Sequence, residues 1–440
     1  MKVASRPTAR RRGFTLVELM VSLVAGLIVT IAVVGLARTA TTTFYEEARL
    51  SATEATVRSA AERLRQDLTR VGFMTTGNIN LARFDNDFVP VGQKIAHGPS
   101  GPTSRYGAMT NDLAGVRIDV GGSLPATAAL SGANGLNPDA IFMTGNYTTD
   151  DSYVGTLTAA NTVVLDILRD PANARLLAGA NPTTSVRNAF TPGSPAGAVP
   201  PFVARVVDPV GCSHFVVLNG ATGTAAAATL TFAAPTVGTP VLAPGATDNA
   251  VCGAIVSEEV RINPVQTVRW RLEGTSAPLA PEAALGLPVG TKFDLVREIL
   301  DATGASVISP GGPQVVAEYA VDLKFGVTVD HPAAAFPPPT NQITLDMDTD
   351  GIAITKWGQT ASTTSLPPAR AEAPQRIRSV RFRLATRAAL PDRTLPLPSA
   401  PGAPYLSRYC VIPGGPCTTF SRVRTIMSEV ALVNQAGMTY

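Results

Sequence analysis

The sequence predicts an α+β protein: one long N-terminal helix followed by a β-rich antiparallel head. Three observations lead there. An apolar run of about 23 residues, Phe14 to Leu36, follows a cluster of arginines. The next stretch, Arg38 to Val71, has no Pro or Gly and repeats its apolar residues at helical spacing. The rest is rich in Gly, Pro, Ala and Thr and holds segments that alternate apolar with polar residues, the pattern of strands with one covered face.

The apolar run comes first. Arg10, Arg11 and Arg12 lead into Gly13, and Glu18 is the single charge from there to Leu36. A run of this length crosses a bilayer as a helix, and the arginines hold its start on the cytoplasmic side. A carboxylate within such a span costs roughly 2.5 to 3.5 kcal/mol at the bilayer centre and less near its edge, which makes Glu18 a functional candidate. An ordinary secretory signal has a shorter core and a small-residue cleavage site after it. Gly35-Leu36-Ala37 is a passable site of that kind, but the core is too long, and Gly13 and Glu18 are left without a reason. A plain membrane anchor explains the length alone.

The helix continues beyond Leu36. Val57, Ala61, Leu64, Leu68 and Val71 fall on one face, and Gly72 is a natural stop. Glu54 with Arg58 and Arg63 with Asp67 are spaced four apart and are expected on the solvated side. The whole predicts a helix of about 58 residues, roughly 87 Å at 1.5 Å per residue. Its amphipathic half needs a surface, which the head supplies.

From Met74 to Ser131 loops dominate, with one strand at Gly115 to Val120. Further strands are expected at Asp139 to Tyr147, Thr162 to Leu168, Phe202 to Val207, His214 to Leu218 and Thr229 to Phe232. The small-residue stretches Pro171 to Pro201, Ala221 to Ala228 and Pro235 to Ala250 read as surface excursions. In Val265 to Glu273, Val268, Trp270 and Leu272 face one way and Arg269 and Arg271 the other, with Phe293 to Leu300 the expected partner. In Val321 to Asp330, the covered side takes Val321, Leu323, Phe325, Val327 and Val329, and the wet side Asp322, Lys324 and Thr328. Ile343 to Leu345 and Ile352 to Ile354 flank an acidic turn and predict a hairpin. Val380, Phe382 and Leu384 alternate with Arg381 and Arg383. Val423 to Val433 is ambiguous between strand and helix.

Four cysteines, Cys212, Cys252, Cys410 and Cys417, read as disulfides outside the cytoplasm. Three pairings are open; proximity favours Cys410 with Cys417 and Cys212 with Cys252, with loop-entropy contributions of about 2.5 and about 4 kcal/mol. Zinc is the rival, but no C-x-x-C pair exists and His97, His214 and His331 are far apart. Asp346, Asp348 and Asp350, with Gly351 and the Ile352 carbonyl, match the opening of an EF-hand loop, a candidate Ca2+ site. The closing position holds Trp357 instead of a bidentate Glu. The plain alternative is an acidic, solvated hairpin tip. Arg376, Arg378, Arg381, Arg383 and Arg387 form a basic run, read either as a solvated strand face or as a DNA-capturing surface, though no aromatics interleave to stack bases. There is no G-x-S-x-G, Walker loop, G-x-G-x-x-G or H-E-x-x-H, and nothing predicts an enzyme.

The segment Gly13-Phe14-Thr15-Leu16-Val17-Glu18 resembles the processing site of type IV prepilins. The resemblance implies that a prepilin peptidase cuts between Gly13 and Phe14 and methylates Phe14. It also implies that Glu18 pairs with the N-terminal amine of a neighbouring subunit, the opposite charge that a buried carboxylate needs. Residues 1–13 are then a leader, 14–37 the transmembrane and assembly half of the helix, 38–71 its amphipathic half and 72–440 the head, together a pilin-like ladle. Loss of the leader removes Lys2, Arg6, Arg10, Arg11 and Arg12 and leaves 31 basic against 33 acidic residues, a net of −2. No global basic excess remains to attract nucleic acid.

The second half is similar to PilW-type minor pilins, relatives of the J-type pseudopilins of type II secretion. The matching segments are Thr267-Val268-Arg269-Trp270-Arg271-Leu272, Leu295-Val296-Arg297, Val316 to Phe325, the Asp-rich turn, Arg376-Ile377-Arg378 and Val430-Ala431-Leu432. The resemblance implies a minor pilin, a structural and assembly subunit of a type IV pilus, and the large head suits a tip position that primes the filament. A J-type minor pseudopilin is the alternative, and a surface-exposed binding or DNA-capturing module a third reading. Implied partners are major and minor pilins, the prepilin peptidase, the inner-membrane assembly platform and, before assembly, membrane lipid. The implied location is a single pass of the inner membrane with the head in the periplasm, then the pilus at the cell surface.

Overall fold

A computed structural model of the protein describes residues 15–79, 113–123, 134–159, 161–193, 201–209, 211–233, 259–274, 292–307, 313–332, 340–357, 374–391, 408–411 and 420–436. The chain divides into two compact units, Met1–Ala52 and Thr53–Tyr440. The described part of the first is helical. Helix α1 (Leu16–Thr69) begins there and ends in the second unit. Every large apolar side chain from Leu16 to Leu36 is more than half exposed, and α1 is long and apolar enough to cross a membrane.

In the second unit, the last turns of α1 are amphipathic as the spacing predicts: Val57, Ala60, Leu64 and Leu68 are fully buried. Burying one such Leu is worth about 1.5–3 kcal/mol. Gly72 ends the helix in the left-handed region, at φ +74°, where only glycine sits without strain. Gly145 permits the close approach that follows, since a Cβ there would lie 2.4 Å from the Arg70 carbonyl oxygen.

Three β layers follow from antiparallel pairing. The first sheet runs β1 (Val116–Asp119), β2 (Ala140–Gly145), β8 (Glu259–Gly274), β9 (Phe293–Leu300) and β10 (Gln314–Ala317). The second is a closed ring: the start of β8 pairs with β3 (Tyr153–Ala159), then come β4 (Thr162–Asp166), β7 (Ala227–Phe232), β6 (Ser213–Gly223) and β5 (Phe202–Val207), which pairs back onto β8. This six-stranded barrel has its own core, including Leu157, Leu165, Val206, Leu218 and Ile262. The third layer runs β12 (Thr340–Leu345), β11 (Ala320–Pro332), β13 (Ile377–Arg387), β15 (Phe420–Ala431) and β14 (Arg408–Cys410). The buried face of α1 shares one core with Ile141, Trp270 and Leu295 of the first sheet and Phe325, Val327 and Phe382 of the third layer.

Several expectations are corrected. Pro171 to Pro201 is not all surface excursion, since it contains α2 (Pro171–Leu177) and α3 (Pro182–Phe190). Asp170 and Asn181 cap them, each followed by Pro at the first helical position. Ala221 to Ala228 is the end of a β6–β7 hairpin. Strand β3 leaves a weak apolar signal, because Gly155 takes one of its inward positions. The expected hairpin across the acidic turn is a strand followed by α4 (Gly351–Trp357), whose Ile354 and Trp357 bury three positions apart. Val423 to Val433 is strand up to Ala431, followed by the short helix α5 (Val433–Ala436). A bulge in β11 moves Val321 out of the main core and puts Ala320 there instead. Pro235 to Ala250 lies outside the described residues, as does most of Met74 to Ser131.

The largest correction concerns Asp67. It does not pair with Arg63 on the wet side; it is buried. Three residues after Leu64 and four before Val71, it lies on the covered face of α1. Its Oδ2 accepts from Trp270 Nε1 at 2.8 Å and from Arg297 Nε at 2.7 Å, and its Oδ1 from an Arg297 Nη at 3.3 Å. Removing one partner of such a buried pair leaves the other uncompensated. Asp67→Ala is therefore expected to destabilise the detergent-extracted chain by about 3–5 kcal/mol, read by denaturant unfolding, and Arg63→Ala to leave it nearly unchanged.

Candidate functional site

The first candidate site is the start of α1. Gly13 and Phe14 lie outside the described residues. Glu18 stands in the first turn, where the helix dipole favours a negative charge. It forms a capping box with Thr15: Glu18 N donates to Thr15 Oγ1 at 3.3 Å, and Thr15 N donates to Glu18 Oε2 at 3.1 Å. The Thr15 hydroxyl also reaches Oε2, at 3.1 Å. The carboxylate that looks costly in the span is thus held at the helix end by local donors.

Residues 8–34 match the prokaryotic N-terminal methylation motif. The chain carries a prepilin-type N-terminus. The match spans the arginines, Gly13, Phe14, Glu18 and most of the apolar run, and it leads without a break into α1. Comparison with curated proteins and with solved structures gives no match. The motif and the long membrane-competent helix support a type IV pilin-like protein.

The head holds a set of ion pairs, several of whose members alternate with apolar residues as if solvent-facing. Asp139, at the start of β2, accepts from Lys324 Nζ at 2.8 Å, Gly121 N at 2.9 Å and Phe325 N at 3.1 Å, and so joins the first sheet to β11. Asp322 and Lys324, expected on a wet face, are buried. Asp322 pairs with Arg383 Nε at 2.6 Å, and both Nη of Arg383 meet Asp348, at 2.7 and 2.9 Å. On β8, Arg269 and Arg271 converge on Glu298 of β9, whose side chain is 1% exposed. Adjacent strand positions of opposite charge signal such pairs, but only once the β8–β9 register, Arg269 opposite Glu298, is known.

The basic run is spent inside the protein. Arg378 pairs with Asp330 and donates to the Gln435 carbonyl, Arg381 donates to the Leu345 carbonyl, and Arg387 is buried over the Tyr319 and Tyr409 rings. Neither a solvated strand face nor a nucleic-acid track fits these contacts; Arg376 is half-buried on the single 3-10 turn before β13. The acidic turn does not fit calcium. Asp350 Oδ2 accepts from Asp346 N and Asp346 Oδ1 from Asp348 N, while Asp348 turns away to Arg383. Ile352, whose carbonyl a calcium loop would use, stands in the first turn of α4. Among the described residues no group of three or more His, Cys, Asp or Glu is placed to hold a metal ion. Cys212 and Cys410 are buried and each disulfide-bonded; Cys252 and Cys417 lie outside the described residues.

Two outcomes follow. Millimolar calcium should leave the melting temperature of the chain unchanged, whereas Asp348→Ala, which strips a half-exposed partner from Arg383, should lower stability by about 1 kcal/mol. Burial pushes the Glu298 carboxyl up, but hydrogen bonds and charge from Arg271 and Arg269 outweigh it and hold it below the usual carboxylate range. A depressed folded-state value contributes stability that is present above the ordinary glutamate range and lost as pH falls through the folded value. Melting followed downward from pH 6 should show that loss, and Glu298→Gln should flatten it while costing about 3 kcal/mol at neutral pH.

Proposed function

We propose that the protein is a minor pilin, a structural and assembly subunit of a type IV pilus. The observation that carries this reading is the methylation motif at residues 8–34 running straight into α1. In this reading the chain is inserted through its apolar half-helix with the head on the periplasmic side. A prepilin peptidase cuts between Gly13 and Phe14 and methylates Phe14. Residues 14–37 then pass from lipid into helix packing with other major and minor pilins on the inner-membrane assembly platform. Glu18 meets the N-terminal amine of a neighbouring subunit. The capping box supports that role, because it fixes the carboxylate at the helix end, where an incoming amine arrives.

The PilW-like segments support the finer assignment. Val268, Trp270 and Leu272 of β8, opposite Ile299, Arg297 and Leu295 of β9, line the buried seat of α1. The head, with its barrel inserted between β2 and β8, is bulky, which suits a tip subunit that primes assembly better than one repeated along a shaft. The pairings Cys212–Cys252 and Cys410–Cys417 belong to the same proposal. A J-type pseudopilin would use the same N-terminus and the same seat. The internal pairing of the arginines weighs against a DNA-capturing module.

Intact mass of the chain extracted from membranes should give a mature N-terminus at Phe14 carrying one methyl group, and Gly13→Ala should remain uncut. A wild-type chain that keeps residues 1–13 would sink the assignment. Glu18→Ala should be cut normally yet enter sheared filaments several-fold less; normal incorporation would remove its pairing role.

A further inference from the structure

Two layers of the head meet at a buried lysine and a buried carboxylate. Lys324 of β11 donates from Nζ to Asp139 Oδ1 at 2.8 Å, and the Asp139 side chain is 1% exposed. Gly121 N donates to the same Oδ1, and Phe325 N to Oδ2. The carboxyl group is thus gripped on both oxygens, with an amine against one of them. Its backbone is fixed as well, since Asp139 N donates to the Leu323 carbonyl at 2.7 Å. Leu323 and Phe325, on either side of Lys324, are buried in the core shared with α1.

A third group completes the cluster. Asp322 lies two residues before Lys324 on the same face of β11 and is fully buried. Its Oδ2 accepts from Arg383 Nε, whereas its Oδ1 is buried without a hydrogen-bond partner. An orphaned carboxylate oxygen is a place for a proton. The charges of Lys324 and Asp139 both act on Asp322. Burial is the largest influence on both acids, and it pushes each carboxyl above the usual range in spite of the cations beside them. The other buried lysine among the described residues, Lys292, is placed differently. Its carboxylates are Asp294, two residues along the same segment, and Glu318, whose side chain is 58% exposed.

We propose that Lys324 and Asp139 become joined by an amide bond, formed by the folded chain itself with Asp322 as the proton relay. A proton first passes from Nζ to Oδ1 of Asp139, which turns the ion pair into a neutral amine and a neutral acid, the state that a dry site favours. Holding the two together removes the entropic cost of their meeting. The Nζ lone pair then forms a bond to Asp139 Cγ. The oxyanion this creates on Oδ2 is met by the Phe325 N–H, a donor already in place. Nζ gives a proton to Asp322 Oδ1, Asp322 passes it to the Asp139 Oδ1 hydroxyl, the C–O bond breaks and water leaves. Amine and acid become amide and water, Asp322 is restored, and nothing is oxidised or reduced. The Lys324 side chain is 11% exposed, which gives the water an exit. The bond ties the first sheet to β11 across 185 residues of chain, so that a pull on the head cannot part the two layers. The cluster makes no use of the N-terminus, and the inference does not rest on the pilus assignment.

The test is the intact mass of the full chain, extracted in detergent, reduced and denatured, beside that of Lys324→Arg. Arginine keeps a positive charge against Asp139 but stays protonated and cannot attack. Any processing at the N-terminus and the state of the cysteines are common to both chains, so the cross-link alone separates them. The wild type should be lighter than the variant by one water more than the substitution accounts for. Digestion of the wild type should yield a branched peptide that contains both Asp139 and Lys324. Asp322→Asn keeps an acceptor for Arg383 and should leave the chain unlinked. A wild-type chain with no water missing overturns the bond whether or not the variants fold, and so does a water loss that maps to any other residues. A fully linked Asp322→Asn chain overturns the relay.

Discussion

Asp67 is the hinge pin of the head. One carboxylate, placed on the buried face of α1 between Leu64 and Val71, takes the indole N–H of Trp270 and the guanidinium of Arg297. Three elements are thereby fixed at one point: α1, β8 and β9. Apolar burial alone fixes the register of the helix on its seat less sharply, since hydrophobic attraction is non-directional. A buried, charge-assisted contact tolerates no shift, because displacement by one residue leaves an ion without its partner. Gly145 fits the same constraint, its missing side chain letting β2 come up to the last turn of α1.

From that point outward the head is organised by β8. Its 16 residues serve two structures, the second half at the centre of the first sheet and the first half as a stave of the barrel. The barrel is a closed ring, so its six strands leave no long free edge to pair with another chain. It carries its own apolar core, capped by α2 and α3. The remaining sheets are tied to one another by charge: Asp139 to Lys324 between layers, Arg383 to Asp322 and Asp348 within one.

Much of this was legible in the residues. The apolar run, Glu18, the helical repeat up to Val71 and the alternation of Val268, Trp270 and Leu272 all report burial of apolar side chains, and apolar periodicity records that directly. The barrel was not legible as a barrel, because closure depends on β5 returning to β8 and no local pattern encodes a distant pairing. Helices α2 and α3 did leave a signal, Asp170-Pro171 and Asn181-Pro182, each a cap followed by a first-turn proline. The charged residues misled most. Asp67, Asp322, Lys324 and Arg383 read as solvent-facing because polarity ordinarily means exposure. They are buried only because each meets an opposite charge that arrives from another part of the chain.

That distance sets the order in which the protein can fold. Trp270 and Arg297 follow Asp67 by 203 and 230 residues, and the whole barrel is threaded between β2 and the half of β8 that α1 needs. Made from its N-terminus at about 5–20 residues per second, the chain keeps the apolar face of Leu64 and Leu68 waiting roughly 10 to 45 s for its seat to exist. The barrel strands β3 to β7 are all made within that interval, so the inserted module is complete, save for β8, before the central core can close. Long-range pairing of this kind is slow even when every residue is present. The part of the helix that will lie against the head is therefore the last of its surfaces to be covered.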